Sequence, residues 1–123
     1  MTAFAEIGND VAQLTDSEGD DRFYGYPTYA ALRGDGFLNV AKGFDNVDAE
    51  ASGGLDRAYL FDSSAADTIF ARSSFARIES QNRRQRVDGF DYVIAIGNNG
   101  GQNDLDVDLI DWVLIKRGSW NTP

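Results

Sequence analysis

The architecture of this chain follows from Asp56-Arg57-Ala58-Tyr59-Leu60-Phe61-Asp62-Ser63, a stretch whose pattern occurs twice. Residues 10–17 read Asp-Val-Ala-Gln-Leu-Thr-Asp-Ser, so alternate positions are identical 46 residues apart. Extended over residues 10–54 and 56–100, the comparison needs no gap and contains 13 identities in 45 positions, where average residue frequencies give about three by chance. A repeat of this length is one supersecondary unit, and such units bury their apolar faces by stacking on neighbours.

The 46-residue offset divides the 123-residue chain into repeats within a single domain. We predict a partial repeat at residues 1–9, full repeats at 10–55 and 56–103, and a C-terminal cap at 104–123. The cap keeps an Asp-rich start but has Asp111-Trp112 where the repeats have Asp-Ser. Because residues 4–10 resemble residues 47–56, we expect the chain to open partway through a repeat of a longer protein. The alternative is a degenerate first cap.

Alternating apolar residues predict short β-strands. Asp45, Asp56 and Asp67 are spaced by 11 residues, and alternation follows each of them. Tyr29–Leu32 and Phe75–Ile78 predict one further strand in each repeat, and no apolar stripe with helical period extends beyond two turns. The predicted fold is all-β, a β-solenoid built from the 46-residue repeats. The spacing leaves open an antiparallel sandwich or propeller-like blades.

Comparison of the two copies predicts which side of each strand faces the interior. Four pairs are identical at alternate positions and are expected to pack in the core: Ala12/Ala58, Leu14/Leu60, Val47/Val93 and Ala49/Ala95. The intervening positions differ and become apolar in the second copy at Tyr92, Ile94 and Ile96. That strand is therefore expected to be buried on both sides. We predict that the C-terminal run at residues 112–115 or another chain covers it.

Composition excludes several classes of function. Twenty acidic against eleven basic residues give a net charge of −9, which disfavours nucleic acid and anionic membranes as partners. No apolar run is long enough to span a bilayer, so membrane insertion is not expected. The chain has no Cys and no His, which excludes zinc sites built on them, Cys nucleophiles and His-based triads. No carboxylate pair stands out for glycoside hydrolysis, and we predict that the chain is not an enzyme.

Two acidic clusters are candidate calcium sites, and no other cofactor is predicted. The first is the turn that contains Asp16, Glu18, Asp20 and Asp21, whose oxygens suit a hard cation. The second is a row on one face of a strand, formed by Asp104, Asp106 and Asp108. The alternative for the first is a turn held by Asp and Ser bonds to backbone amides. The alternative for the second is a solvated edge that discourages strand addition.

Two further groups of side chains indicate possible partners. Residues 57–103 hold six basic and five acidic residues, whereas residues 1–56 hold three basic and eleven acidic. This asymmetry favours contact with neighbouring repeats or self-association, and a solvated loop at residues 82–86 is the alternative. The aromatic residues Tyr24, Tyr26, Tyr29, Trp112 and Trp120 are expected in the core or on a sheet surface. The alternative is a platform for carbohydrate.

Residues 56–63, 67–70 and 89–93 resemble tandem repeats of very large secreted proteins of environmental bacteria, and the resemblance covers residues 10–100. It implies a secreted or cell-surface module with a structural, adhesive or self-associating role. The chain is more distantly similar to the calcium-binding repeats of RTX proteins, without their nine-residue glycine period. We therefore expect a non-enzymatic repeat module, with a carbohydrate- or calcium-binding module as the alternative.

Overall fold

The computed structural model describes residues 2–4, 11–15, 19–34, 36–42, 46–51, 53–80, 83–100 and 102–121, and every regular element in these ranges is a β-strand. In chain order the strands are β1 (Thr2–Phe4), β2 (Val11–Thr15), β3 (Arg22–Gly25), β4 (Tyr29–Gly34), β5 (Phe37–Lys42), β6 (Asn46–Glu50), β7 (Arg57–Phe61), β8 (Asp67–Ser73), β9 (Phe75–Ser80), β10 (Arg83–Asp88), β11 (Tyr92–Gly97), β12 (Asn103–Ile110) and β13 (Val113–Gly118). The all-β prediction is confirmed, and the predicted strands at residues 29–32 and 75–78 lie within β4 and β9.

The strands form two mixed sheets. Sheet I has the order β1-β5-β4-β3-β7-β11-β13, and sheet II has the order β12-β8-β9-β10-β6-β2. Pairs are antiparallel within β3-β4-β5 and within β8-β9-β10, and the other described pairs are parallel. This mixture differs from the purely antiparallel alternative, and the solenoid stays a prediction.

Strands that correspond to each other in the 46-residue repeat lie in opposite sheets, and we call this relationship the exchange of sheets. Shifted by 46 residues, the sheet I pairs β1–β5, β5–β4, β4–β3 and β3–β7 become the sheet II pairs β6–β10, β10–β9, β9–β8 and β8–β12. The sheet II pair β2–β6 becomes the sheet I pair β7–β11. Each pair keeps its direction. Equivalent residues of the two repeats therefore lie on opposite sheets, as Leu14 and Leu60 do.

The inner faces of the two sheets form one core. All four pairs that sequence comparison placed inside are buried, including Leu14 at 7% and Leu60 at 0% exposure. Phe23 of sheet I packs near Phe90, with ring centroids 6.3 Å apart. A Cβ atom on Gly25 would lie 2.5 Å from Gln85 Oε1 of sheet II, so the sheets approach closely there. Burial of each large apolar side chain contributes about 1.5–3 kcal/mol, and this core holds the layers together.

The C-terminal strand extends sheet I instead of covering it. Strand β13 pairs in parallel with β11, and Ile115 lies opposite Ile94. The prediction that residues 112–115 cover the outer side of β11 is therefore wrong for the described residues. The edge of β11 offers unpaired backbone groups, and β13 satisfies them by pairing beside β11. Ile94 is still only 3% exposed, and it lies in register between Tyr59 and Ile115. Within residues 104–123, β12 and β13 are thus edge strands of the two sheets.

Candidate functional site

The recurring aspartates hold the starts of the parallel strands in sheet I. Asp21, Asp56 and Asp91 each precede a strand, β3, β7 or β11. The Asp21 N–H donates to Asp56 Oδ1 at 2.8 Å, and the Asp56 N–H donates to Asp91 Oδ2 at 2.9 Å. Asp21 and Asp56 are 1% and 0% exposed. Because these carboxylates accept buried backbone amides, their recurrence has a structural cause.

The Asp-Ser turn of the second copy is also held by side-chain bonds to the backbone. Asp67 accepts the Ser63 N–H at 2.6 Å and the Ser63 hydroxyl at 2.9 Å. The Asp62 carboxylate accepts the backbone N–H groups of Asn98 and Asn99 and the side-chain amide of Asn103. Both carboxylates are fully buried. This geometry matches the turn that was the alternative to a calcium site.

The predicted first calcium site lies only partly within the described residues. Asp16 and Glu18 lie outside them. Asp20 is exposed and accepts the Leu55 N–H at 2.7 Å, whereas Asp21 is buried. In the ranges that the structure describes, no group of three or more Asp, Glu, His or Cys residues could hold a metal ion. Calcium at this turn stays a prediction.

The second acidic cluster lies on edge strand β12. Asp104 is exposed, and Asp106 forms a 3.1 Å ion pair with Arg72 of the neighbouring β8. The register of β12 against β8 shifts between Val107 and Ile110, which interrupts the regular row before Asp108. These positions fit the predicted solvated edge, since charged side chains on an outer strand discourage further pairing.

The basic segment at residues 83–86 is a strand whose arginines point to both sides. Arg83 faces inward, is 8% exposed, and donates to Gly25 O at 2.8 Å and to Gln85 Oε1 at 2.7 Å. Its Nη1 lies 3.7 Å from Asp67 Oδ1. Burial lowers the pKa of Arg83 to about 10, while the charges of Asp67 and Asp62 act in the opposite direction. Arg83 is therefore a buried cation that links sheet II to sheet I.

The outer face of sheet II carries arginines that are paired with carboxylates. The ion pairs are Arg72–Asp106 at 3.1 Å, Arg77–Glu79 at 3.0 Å, Arg84–Asp48 at 3.4 Å and Arg86–Asp88 at 2.8 Å. The guanidinium of Arg86 also lies 4.0 Å from the ring centroid of Phe75. All four pairs are part-exposed, so each contributes at most about 1 kcal/mol. Their local effect is to neutralise the charge of this face.

The outer face of sheet I has aromatic rings in cross-strand stacks. Tyr24 and Tyr59 lie opposite each other, with centroids 5.1 Å apart and planes 8° apart. Tyr26 stacks on Phe61 at 4.5 Å and on Tyr29 at 4.7 Å. Because these rings cover one another's faces, the stacks stabilise the sheet, by about 0.5–1.5 kcal/mol for each pair. Each of these rings therefore has at least one face covered by another ring.

Beside these stacks, three arginines stand directly opposite one another. Arg33 of β4 faces Arg22 of β3, which faces Arg57 of β7, and we name these three residues the arginine row. Among the described residues, no carboxylate lies within ion-pair distance of any of the three guanidinium groups. Arg57 lies over the ring of Tyr92, 5.7 Å from its centroid.

The charge of this face is one-sided. Its outward residues on β3, β4, β5, β7, β11 and β13 include five bases and no acid, the bases being Arg22, Arg33, Lys42, Arg57 and Arg117. The arginine row borders an open depression of about 270 Å³, which is also lined by Asp20, Asp21, Gly34 and Leu55. The arginine row and this depression form the candidate functional site.

Sequence reasoning missed the arginine row. Arg22 and Arg57 each follow a recurring aspartate, Asp21 or Asp56, and this shared position was the available signal. Their position opposite each other depends on the register of β3 against β7, whose paired residues are 35 positions apart. The repeat offset of 46 residues does not reveal that pairing register.

No family model, no curated protein and no solved structure matches this chain. Among the residues described, none of the elements is a helix long and apolar enough to cross a membrane.

Proposed function

We propose that this chain is a non-enzymatic repeat module of a secreted or cell-surface protein, and that its role is to build an extended β structure by repetition. The observation that carries the proposal is the exchange of sheets between repeats, in which the same strand pairs recur with the same directions. In such a body each repeat adds strands to both sheets and stacks on its neighbours, as in a solenoid. The resemblance of residues 10–100 to repeats of secreted proteins supports the location.

The use of the repeated residues supports the same role. The identical apolar pairs fill the core, and the buried aspartates bind backbone amides at strand starts and turns. Most positions that recur between copies therefore serve the body itself. A unit of this kind contributes length and surface.

Addition of one more repeat tests this proposal. A second copy of residues 56–101, inserted after residue 101, adds 46 residues and one exchange of sheets. We expect one cooperative unfolding transition at a higher temperature, since each added interface stabilises a repeat array. Small-angle scattering should show a particle longer by roughly 12 Å, from two to three strands per sheet at a spacing of about 4.8 Å.

The control is a Gly/Ser insertion of equal length at the same point. It should lower the melting temperature, because it lengthens a loop and adds no packing. An added repeat that unfolds in a separate transition, or that behaves as the Gly/Ser insertion does, would contradict the proposal.

Adhesion through a ligand is the second candidate, and the basic outer face of sheet I favours it. The stacked rings argue against sugar binding by ring faces alone. Charge and hydrogen bonding at the arginine row are the available means of recognition.

A further inference from the structure

We propose that the arginine row is an anion-binding site that takes the sulfate or carboxylate groups of an acidic polysaccharide. The site goes beyond the structural role proposed above and does not depend on it. Three guanidinium groups on adjacent strands, with an open depression at their side, provide the binding surface.

The three positive charges of the row repel one another, and a bound anion would reduce this repulsion. Like charges directly opposite each other on neighbouring strands destabilise a sheet. On sheet II the repeat places Thr68 and Glu79 where sheet I has Arg22 and Arg33, and its outward arginines have carboxylate partners. The like-charged row is therefore particular to sheet I.

Asp20 and Asp21, the two acidic residues beside the row, do not take the place of a bound anion as partners of the arginines. Asp20 accepts the Leu55 N–H, and Asp21 is buried at 1% exposure. Three arginines and two aspartates give the depression a formal charge of +1 (3 − 2). A small positive charge with five guanidinium N–H donors on each arginine suits a sparsely charged, hydrogen-bonding ligand.

The spacing favours a polymer over a free ion. Neighbouring strands lie about 4.8 Å apart, so the row spans roughly 10 Å across three strands. A single sulfate contacts two neighbouring guanidinium groups, whereas a chain with successive charges contacts all three. Tyr24 and Tyr59 lie two residues further along β3 and β7 on the same face, and they place phenol groups beside the row.

Nucleic acid fits this site less well. Its phosphates are closely spaced along the chain, so the net charge of −9 repels nucleic acid more strongly than a polymer with fewer charges per unit length. A polysaccharide with one charge on each sugar or on alternate sugars needs only the local row. The carrier that we propose is therefore an acidic polysaccharide.

Affinity electrophoresis tests the site with a sulfated polysaccharide, a polyuronate and neutral dextran at low ionic strength. The chain should be retarded by at least one of the two acidic polymers and not by dextran. The double variant Arg22→Gln/Arg57→Gln should lose about tenfold or more in affinity, because charge-assisted hydrogen bonds are lost. The matched control Arg84→Gln/Arg86→Gln removes the same charge from sheet II and should change affinity by less than about twofold.

Thermal melting gives a second readout that does not require a polymer. Without added anion, the Arg22→Gln/Arg57→Gln variant should melt at the same temperature as the parent chain or higher, since repulsion is removed. Sulfate should raise the melting temperature of the parent chain more than that of this variant, and free sulfate should compete with the polymer.

Several results would overturn the inference. They are equal retardation by dextran, equal loss in the sheet II control, or tighter binding of a single-stranded oligonucleotide than of either acidic polymer. Stabilisation by free sulfate with no retardation by either polymer would overturn the polysaccharide as the carrier.

Discussion

Asp21 donates its backbone N–H to Asp56 Oδ1 over 2.8 Å, although the two residues are 35 positions apart. The next bond of the same kind joins Asp56 to Asp91, again over 35 positions. Sheet II differs, because Asn103 lies opposite Asp67 but donates its side-chain amide to Asp62 Oδ2, and its own Oδ1 accepts no hydrogen bond among the described residues. In sheet I, an aspartate side chain thus accepts the backbone N–H that precedes the neighbouring strand, and this bond fixes the register of parallel strands that turns alone do not specify.

Replacement of Asp56 tests this arrangement. Asp56→Ala should lower the free energy of unfolding by about 2–4 kcal/mol, because it leaves the buried Asp21 N–H without its acceptor. Asp56→Asn should cost less, since the asparagine side chain keeps an oxygen that can accept the Asp21 N–H. Urea unfolding of both variants measures the difference. An Ala variant as stable as the Asn variant would show that the side-chain acceptor is not needed.

Leu60 and Leu14 occupy equivalent positions with different burial. Leu60 is 0% exposed in an interior strand of sheet I, and Leu14 is 7% exposed in the outer strand β2 of sheet II. Leu60→Ala should cost about 2–5 kcal/mol, and Leu14→Ala should cost less because an edge site relaxes more readily around a cavity. Denaturant unfolding checks both. A cost below about 1 kcal/mol at Leu60 would place its side chain outside the core.

Arg83 should be required as the link between the sheets. Arg83→Met removes the donor to Gly25 O and the cation near Asp67, and we expect a loss of about 1–3 kcal/mol. The pKa lowered to about 10 leaves the guanidinium charged below that pH, so the cost of burying its charge is present throughout the neutral range. The stability difference should therefore be constant between about pH 6 and 9. A difference that disappears within this range would show that another titrating group controls the link.

Deletion of residues 112–123 should produce oligomers. The deletion removes β13 and the buried Trp120, and it exposes the backbone edge of β11. An apolar edge strand is a template for pairing with another chain. Light scattering measures the outcome, and Val113→Lys/Ile115→Lys is the control that keeps the strand but makes its outward side chains polar. A truncated chain that stays monomeric and equally stable would contradict the prediction.

Added calcium should leave the melting temperature of the chain unchanged, because we expect the first turn to be held by hydrogen bonds and not by a cation. Asp20 already binds the Leu55 N–H, and the second copy forms its turn with Ala65 and Ala66 where the first has Gly19 and Asp20. Differential scanning fluorimetry with calcium, magnesium and chelator measures this. A rise with calcium that Asp20→Asn abolishes would instead establish the predicted calcium site. The single change is the sharper test, since Asp21 is buried.

The core and the strand starts could be predicted from sequence because they repeat. Identity at Leu14 and Leu60 identified the interior, and the recurring aspartates marked where strands begin. Both signals are local, since alternation and turn residues act over a few positions.

Strand neighbours could not be predicted in the same way. Alternation shows which side of β11 is apolar, but not whether β13 lies over it or beside it. The arginine row likewise depends on the pairing of β3 with the distant β7, and its members differ from their counterparts 46 residues later. A candidate site made by register is therefore invisible to comparison of the copies.

The exchange of sheets has an evolutionary consequence. The same interior position of the repeat lies in one sheet in one copy and in the opposite sheet in the next. Its side chain must therefore fit the core from both sides, which limits substitution there. Equivalent outward positions of adjacent copies lie on opposite surfaces, and each of the two can diversify without regard to the other. An array of such units would have two outer faces, with odd-numbered copies contributing most of the strands of one face and even-numbered copies most of the strands of the other. Selection could then give the two sides unrelated chemistries, as the arginine row of sheet I and the carboxylate-paired arginines of sheet II already illustrate.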